Sequence, residues 1–568
     1  MKIKFFTNGL TIPRTYETRA IPEVASEQLL FDAESVVIKP EFESLYINPS
    51  YFFLKHYYSL YGKNNKIEWL IPELILIDKL PEIINQTVKE QPDIIGMGMY
   101  AWNEQYNLSL AKQLKLLLPN STIIMGGPQL TAHKETGFFK KHPYVDYVVY
   151  GDGEKAFRLL VDFKSGLIET TDSFVNIVEN DNGQEKVYPY EMLRDEQYFN
   201  TSPYLSQEEH ILESLRYADE KVERTNFIYG TPYAFEIGIE FARGCMYACT
   251  FCDWSQNLTH KVTRRKYDWK SDIDFFHRHD IRLSETDANF GQWKEDIEIY
   301  DYAASLYDPF KKFRFPVVNT PKLKKDITEY LIRRNVQVYD YPPMISFQDL
   351  SEEVLKNIDR PSVSWEDHKI LINNLKRDLT LDQFRQVRAQ IILGLPGQSV
   401  DLIKEHVVQL LLAGVVHIHM GQWVLLPNSP AADKFYQKLH KLEFEDIYII
   451  RRYEQELPNL EAIYADTAGD RSIYGLSSAG KWIIKNKDMS HRDLIIATII
   501  VRLFNAMPVH LKENRTEKEI RNTIDRLHSA AIKQADEQIK LHQPLMDKYN
   551  ITFLGSYNNF TKMLSSRW

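Results

Sequence analysis

Short apolar runs and helical periodicities alternate between residues 66 and 160 in the manner of βαβ units. Trp69-Leu70-Ile71-Pro72 opens the stretch, and residues 77–90 carry a helical pattern. Residues 93–99 are almost continuously apolar after Asp93, which predicts a parallel strand buried on both faces. A helix follows over 107–118, then a strand over 122–125 that ends in Gly126-Gly127-Pro128. A third strand, 145–150, runs into Gly151-Asp152-Gly153-Glu154 and a helix over 155–163. Glycine at a strand end lets backbone approach a bulky ligand closely, and a doubly wound sheet binds its ligand at the carboxyl ends of its strands. A large cofactor could therefore lie across this edge.

Residues 164–230 are more polar, with a turn at Asn180-Asp181-Asn182-Gly183 and one helical pattern over 208–222, and read as a connecting region. From Phe235 the alternation resumes, with strands near 235–241, 281–283, 313–318, 336–339, 389–393 and 415–420 and helices between them. Six such units fit a partial (β/α)6 barrel of the TIM type. The rest is mostly helical, with an apolar stripe through Ile520, Ile524, Leu527, Ala531 and Ala535 that marks a packed face. The expected fold class is α/β, in four parts: a doubly wound, Rossmann-like domain over 1–165, the connection over 166–230, the barrel over 231–440 and a C-terminal helical region over 441–568.

A chain of 568 residues with 44% hydrophobic and 26% charged side chains has the composition of a globular protein with several cores. Its 69 basic and 78 acidic residues leave a net charge of -9, and no basic block suits a phosphate backbone, so nucleic acid is not an expected partner. The first twenty residues lack the apolar core of a signal peptide. The apolar runs 407–416 and 494–501 fall short of the roughly 18 residues that span a bilayer. A soluble, cytoplasmic protein without a membrane partner is expected.

All three cysteines, Cys245, Cys249 and Cys252, lie within eight residues, which excludes a disulfide framework. Their loop, Glu240-Phe241-Ala242-Arg243-Gly244-Cys245-Met246-Tyr247-Ala248-Cys249-Thr250-Phe251-Cys252, follows the first predicted barrel strand, at the end where barrel active sites form. Closely spaced thiolates select zinc or an iron-sulfur cluster. A structural zinc site usually takes four ligands in two pairs. Here there is no fourth cysteine, and the nearest following histidine is His260. Zinc completed by a distant histidine, or three plain buried thiols, is the competing account.

The C-x3-C-x2-C spacing with Phe251 before the last cysteine resembles the signature of radical SAM enzymes. Over about residues 90–440 further stretches extend the likeness to the class with an N-terminal cobalamin-binding domain: Gly126-Gly127-Pro128, Gly151-Asp152-Gly153-Glu154, Asp287-Ala288-Asn289-Phe290-Gly291, Ser346-Phe347-Gln348-Asp349-Leu350, Gly394-Leu395-Pro396-Gly397 and Leu426-Pro427-Asn428-Ser429-Pro430. The resemblance implies a [4Fe-4S] cluster on the three cysteines, with one iron open to the amino and carboxylate groups of S-adenosylmethionine. It implies that Phe251, Glu285, Asp287, Asn289, Asn319, Ser346, Gln348, Gln390, Gly394 and Pro396 bind that molecule; a helix cap by Asp287 or Asn289, or ordinary loop hydrogen bonding, would account for several of them as well. It further implies cobalamin bound by Tyr100, Trp102, Asn103, Gly126, Gly127, Gly151, Gly153 and Glu154. The Asp-x-His-x-x-Gly string that supplies a lower axial histidine in many cobalamin proteins is absent, and His133 and His142 are candidates by element only.

The activity implied is a cobalamin-dependent methyltransferase acting on an unactivated carbon of a peptide or natural product, supplied with electrons by a donor such as flavodoxin or ferredoxin. Ring closure, ring contraction or another rearrangement with the same cofactors is the second reading, and a non-catalytic corrinoid or iron-sulfur binding protein the third. Trp254, Trp423, Gln422 and Tyr341 are candidates to face the substrate, against plain packing.

Overall fold

The computed structural model describes residues 1–9, 43–75, 80–100, 103–130, 137–225, 232–254, 262–317, 325–339, 344–360, 364–450 and 476–549. Its first sheet carries, one strand in from an edge, a strand that the sequence pattern hides. β1 (Lys2–Gly9) mixes lysine with apolar residues as an edge strand would, yet Lys4 is enclosed, its Nζ 3.1 Å from Glu90 Oε2. β2 (Glu43–Ile47) leaves for another sheet. β3 (Glu68–Trp69) and β4 (Glu73–Ile75) pair with one side of β1 and β5 (Ile94–Gly98) with the other, and β6 (Thr122–Gly126) and β7 (Tyr147–Val149) follow outward, all parallel. The chain thus changes sides of β1 between β4 and β5. That is the order of a doubly wound sheet, whose ligand crevice lies beyond the carboxyl ends at the switch point.

The sheet does not stop at residue 165. β8 (Ile177–Asp181) and β9 (Gln184–Val187) add an antiparallel hairpin to the β7 edge, closed by the Asn180–Gly183 turn. Only Ile177 and Val178 of this hairpin are buried, so its composition reads as linker although its backbone belongs to the sheet.

A second parallel sheet has the order β13-β10-β2, with β10 (Tyr233–Ile239) central. A two-residue antiparallel pair, β11 (Ala242–Arg243) and β12 (Thr263–Arg264), follows β10, and β13 (Arg282–Glu285) comes after the helix Trp269–Arg278. The strand expected at 313–318 is not assigned within the described residues, but Leu283 N–H donates to Arg314 O at 2.8 Å, which lays that segment beside β13. The strand expected at 336–339 is instead the last turn of the helix Lys325–Tyr339, because Ile332, Val336 and Tyr339 bury one helical face at i, i+4 and i+7. The strand proper is β14 (Met344–Gln348), which heads a third parallel sheet with β15 (Arg388–Leu393) and β16 (His417–Gln422).

The C-terminal region is not simply helical. β17 (Val424–Leu425), β18 (Glu443–Ile450) and β19 (Leu476–Lys485) form an antiparallel sheet before the helices His491–Ala506 and Glu517–Tyr549. Register shifts at Glu443/Phe444 and Asp446/Tyr448 break the period of two that would have marked β18. The expected stripe is in place, with Ile520, Ile524, Leu527, Ala531 and Ala535 all buried.

One core joins the first sheet to the second through Ile3, Phe5, Ile237, Phe241 and Phe315, and another joins the third sheet to the C-terminal helices through Ile391, Leu393, Ile496 and Ile524. Among the described residues no helix is long and apolar enough to cross a membrane.

Beneath β16, buried Lys512 donates Nζ to Val416 O at 3.0 Å and Asn505 O at 3.2 Å. Burial pushes its pKa from 10.5 down to about 7. Between those values the unfolded chain binds the extra proton, so stability from this site rises as the pH rises. Urea unfolding of wild type and Lys512→Met at about pH 7 and about pH 10 should therefore show the wild type gaining on the variant by on the order of 3 kcal/mol at the higher pH. A difference that does not move with pH would contradict the assignment.

Candidate functional site

The cysteine loop has little regular structure of its own and is fixed from outside. It leaves β11 through Gly244, whose φ of 95° suits a residue without Cβ. Cys245 and Cys249 are buried and Cys252 is half-buried, with Cys252 N–H donating to Cys249 O at 3.1 Å. Between them Thr250 is held three ways. Its N–H donates to Ile358 O at 3.0 Å, its carbonyl accepts from Ala431 N–H at 2.9 Å, and its hydroxyl lies 3.0 Å from Tyr436 OH, which donates to Asn357 O. Phe251 packs half-buried against the core of the third sheet.

The segment after β13 meets this loop directly. Asn289 Nδ2 donates to Cys245 Sγ at 3.1 Å. Asp287 Oδ1 accepts from the backbone of Phe241 at 2.8 Å and of Ala242 at 2.9 Å, tying the end of β13 to the end of β10. Its Oδ2 is enclosed without a hydrogen bond, and burial pushes the carboxyl well above its usual pKa. Asp287, Asn289, Cys245, Gln292 and Trp293 line one pocket. Glu285 ends β13 and is half-buried. Asp287 and Asn289 thus do local holding work and also face a space beside the first cysteine.

On the other side, Gln348 Nε2 donates to Gln390 Oε1 at 3.2 Å, which joins the end of β14 to the middle of β15. Gln348 has φ of 65°, rare for a side-chain-bearing residue, where the β14/β15 register shifts. The Ser346 carbonyl accepts from Arg360 Nη2. Sequence reading missed Arg360: it is buried, and the ionisable groups around its guanidinium are the sulfurs of Cys249, Cys252 and Cys245. Its only signal is position, directly behind a short helix on the far side of the cysteine loop.

The Gly394–Gly397 turn is knotted to the same place. Gln398 Oε1 accepts from Gly394 N–H at 2.7 Å and Leu395 N–H at 3.0 Å, while its Nε2 donates to Asp349 Oδ2 at 2.7 Å. Asn357 Nδ2 holds Pro396 O at 3.1 Å, and buried Asn486 donates to Leu395 O at 2.9 Å. Gly394 has φ of 96°, and a Cβ there would stand 2.5 Å from Ile483 Cγ2. One side of this turn is therefore closed by the C-terminal strand β19. Asn319, Trp102, His133 and Tyr341 lie outside the described residues.

At the edge of the first sheet, Gly127 has φ of 112°, and a Cβ there would stand 2.6 Å from Met99 O, so this turn tolerates glycine alone. Gly126 ends β6, Gly151 has φ of 66° beside the Tyr190 ring, and Gly153 begins the helix Gly153–Lys164. Asn428 Nδ2 donates to Pro128 O, which brings the Leu426–Pro430 stretch onto the Gly126–Pro128 turn. Other residues assigned to this edge turn elsewhere. The Tyr100 hydroxyl bonds the side chains of Asn48 and Ser50. Asn103 is buried, accepting from Tyr100 N–H at 2.8 Å and donating to Gly98 O at 2.9 Å as a loop brace. Glu154 is buried and ion-paired to Arg243 at 2.7 Å. His142 bonds Tyr144 OH at 2.8 Å and packs on Phe138. Of the residues offered to a substrate, Trp423 is core, edge-on to Phe444, Gln422 donates to Ile483 O, and Trp254 is half exposed.

Among the described residues no three His, Cys, Asp or Glu side chains surround a single metal ion. A multi-iron cluster places each thiolate on a different iron, so its ligands stand farther apart than around one ion, and three inward cysteines with an enclosed carboxylate nearby suit such a group.

Residues 72–161 match the family described as B12 binding domain. The cobalamin-dependent radical SAM methyltransferase TokK of Streptomyces tokunonensis is 29% identical over 349 residues, 60% of this chain and 48% of that protein. The 2-(S-pantetheinyl)-carbapenam-3-carboxylate methyltransferase of Streptantibioticus cattleyicolor is 28% identical over 351 residues, again 60% of this chain and 48% of that one. The match spans about half the length of these curated relatives. In fold the chain is similar to OxsB, a cobalamin-dependent S-adenosylmethionine radical enzyme solved with aqua-cobalamin and S-adenosylmethionine, with a TM-score of 0.54 and 13% identity, covering 97% of this chain and 75% of that chain.

The two glycine turns of the first sheet should respond differently to a methyl group. Gly127→Ala meets both backbone strain and Met99 O and should lose roughly 1–3 kcal/mol in chemical denaturation. Gly153→Ala finds only ordinary contacts, at 3.6 Å to Leu54 and Val149, and should stay within about 0.5 kcal/mol of wild type. Equal losses at both positions would refute this reading of the turn.

Proposed function

We propose that this chain, a cobalamin-dependent radical SAM enzyme by its B12-binding domain and its relatives, is a methyltransferase acting on an unactivated carbon of a peptide or natural product. The observation that carries the reading is that two ligand-bearing edges meet: Asn428 and Arg243, from the loops around the cysteines, bond Pro128 and Glu154 at the strand ends of the B12-binding domain. The relatives' names favour the natural-product side of the substrate class, since one of them methylates a carbapenam.

When bound, a [4Fe-4S] cluster would supply the electron that splits S-adenosylmethionine into methionine and a 5'-deoxyadenosyl radical, and cobalamin would supply the methyl group. Cys245, Cys249 and Cys252 would hold the cluster, and Asn289 donates a hydrogen bond to the Cys245 sulfur. Asp287, Gln348 and Gln390 surround the S-adenosylmethionine site, with the enclosed Asp287 oxygen suited to an ammonium group. The Gly394–Gly397 turn, closed on one side by Ile483 and Asn486, helps keep water out. Gly126, Gly127, Gly151 and Gly153 let the corrinoid approach backbone.

On this reading β10, β13, the 313–317 segment, β14, β15 and β16 are the six extended segments of a partial (β/α)6 barrel of the TIM type, preceded by the B12-binding domain and the connecting segment and followed by the C-terminal region. The location is cytoplasmic, and a small electron donor such as flavodoxin or ferredoxin serves the cluster.

Anaerobically reconstituted protein should release 5'-deoxyadenosine and transfer label from methyl-labelled S-adenosylmethionine to product, and Cys249→Ala should reduce both to background. Unlabelled, rearranged product would replace methyl transfer with the ring-forming reading. Absence of any cleavage by the wild type would leave only a binding protein.

A further inference from the structure

We propose that the buried Glu154–Arg243 pair is a positioning bridge that sets the turn after β7 against the cysteine loop, so that Glu154 holds the two cofactor edges in register and binds neither cofactor. The corrinoid half of this inference rests on the proposed function above.

Arg243 stands two residues before Cys245, with Gly244 at a positive φ between them. Glu154 lies in the first turn of the helix that follows Gly151. Arg243 Nη1 is 2.7 Å from Glu154 Oε1 and 3.4 Å from Asp152 Oδ1, while its Nε and Nη2 donate to the two Glu240 oxygens at 3.0 and 3.2 Å. Arg265 donates to Glu240 Oε1 at 2.8 Å and to Tyr198 OH at 3.1 Å, and Tyr198 OH donates to Glu154 Oε1 at 2.8 Å. Both guanidiniums lie near the rings of Phe53, Tyr198 and Phe199. Burial pushes Glu240 up, but the two arginines outweigh it and hold its carboxyl below the ordinary range.

Such a cluster is a poor way to gain stability, because burying charges costs nearly what their attraction returns, and apolar packing would join two units as firmly. What a guanidinium held between carboxylates adds is direction: it fixes angle as well as distance. Both ends of this one belong to segments that carry cofactor ligands.

The protein, reconstituted with iron and sulfide, without and then with hydroxocobalamin, and for EPR reduced so that cobalt stands at Co(II) and the cluster at its paramagnetic [4Fe-4S]+ level, is compared as wild type, Glu154→Gln and Arg243→Lys. In the corrinoid-free protein both variants should keep wild-type iron content while hydrogen exchange across residues 240–252 rises about tenfold or more. With the corrinoid bound, the dipolar coupling between cobalt and cluster in pulsed EPR should broaden. Glu154→Gln that loses corrinoid uptake with unchanged exchange at 240–252 would make Glu154 a corrinoid ligand and overturn the bridge. Unchanged exchange with unchanged coupling would overturn it too. Wild type that takes up no corrinoid would sink the cofactor assignment instead, and the exchange arm would then decide the bridge alone. If Glu154→Gln does not fold, Arg243→Lys, which keeps the charge and loses the fork, carries the same comparison.

Discussion

Eight residues of nearly irregular chain carry every thiolate in this protein, and the fold depends on their being held still by others. A free loop of that length would lose on the order of 1–2 kcal/mol of conformational freedom per residue on being ordered, which its own few hydrogen bonds cannot supply. The restraint comes from three directions. Thr250 is tied to the 357–358 and 431–436 segments, Cys245 is bonded by Asn289, and Arg243 anchors the entrance in a cluster shared with the first sheet. The partners Asn289, Ile358, Ala431 and Glu154 all lie more than 30 residues from the loop in sequence.

The cores explain how such restraints can be precise. The second sheet shares its apolar interior with the first, and the third sheet shares its own with the C-terminal helices, so each half of the site rests on a rigid body larger than itself. The C-terminal region has a definite task in this arrangement. Ile483 and Asn486 bear on the Gly394–Gly397 turn, and Gly394 lacks a side chain because Ile483 occupies the place where one would stand.

Much of this was legible in the sequence wherever one physical rule dominated. Continuous apolar runs marked β5 and β6, glycine marked the strand ends, and the cysteine spacing marked the loop on which the surrounding segments converge. Reading failed where two rules competed. β1 carries lysines like an edge strand, but Lys4 is accommodated between paired strands by Glu90, a partner 86 residues away. Residues 336–339 offer Val-Gln-Val-Tyr, an alternation that suits a strand, yet Ile332 and Val336 extend the helical face already running from residue 325. β18 was missed because its bulges erase the alternation. Arg360 was missed because burial of a charge is decided by the tertiary fold, and no local pattern records it.

The same distinction separates the two kinds of residue assigned to the site. Glycines could be placed from sequence because their role is steric and local: Gly127 is required by its own φ and by Met99 O. For polar residues sequence gives the neighbourhood and not the partner: Glu154, Asn103 and Tyr100 all sit at strand ends and turn their polar atoms to protein groups. An enclosed oxygen without a donor costs about 1–3 kcal/mol. Asp287 keeps one oxygen on two backbone amides, which aligns it with the strand it holds, and leaves the other enclosed without a hydrogen bond beside Cys245. The residues of this site whose hydrogen bonds are complete set its shape, while enclosed atoms without one stand on both sides of the cysteine loop, Asp287 Oδ2 on one and Arg360 Nε on the other.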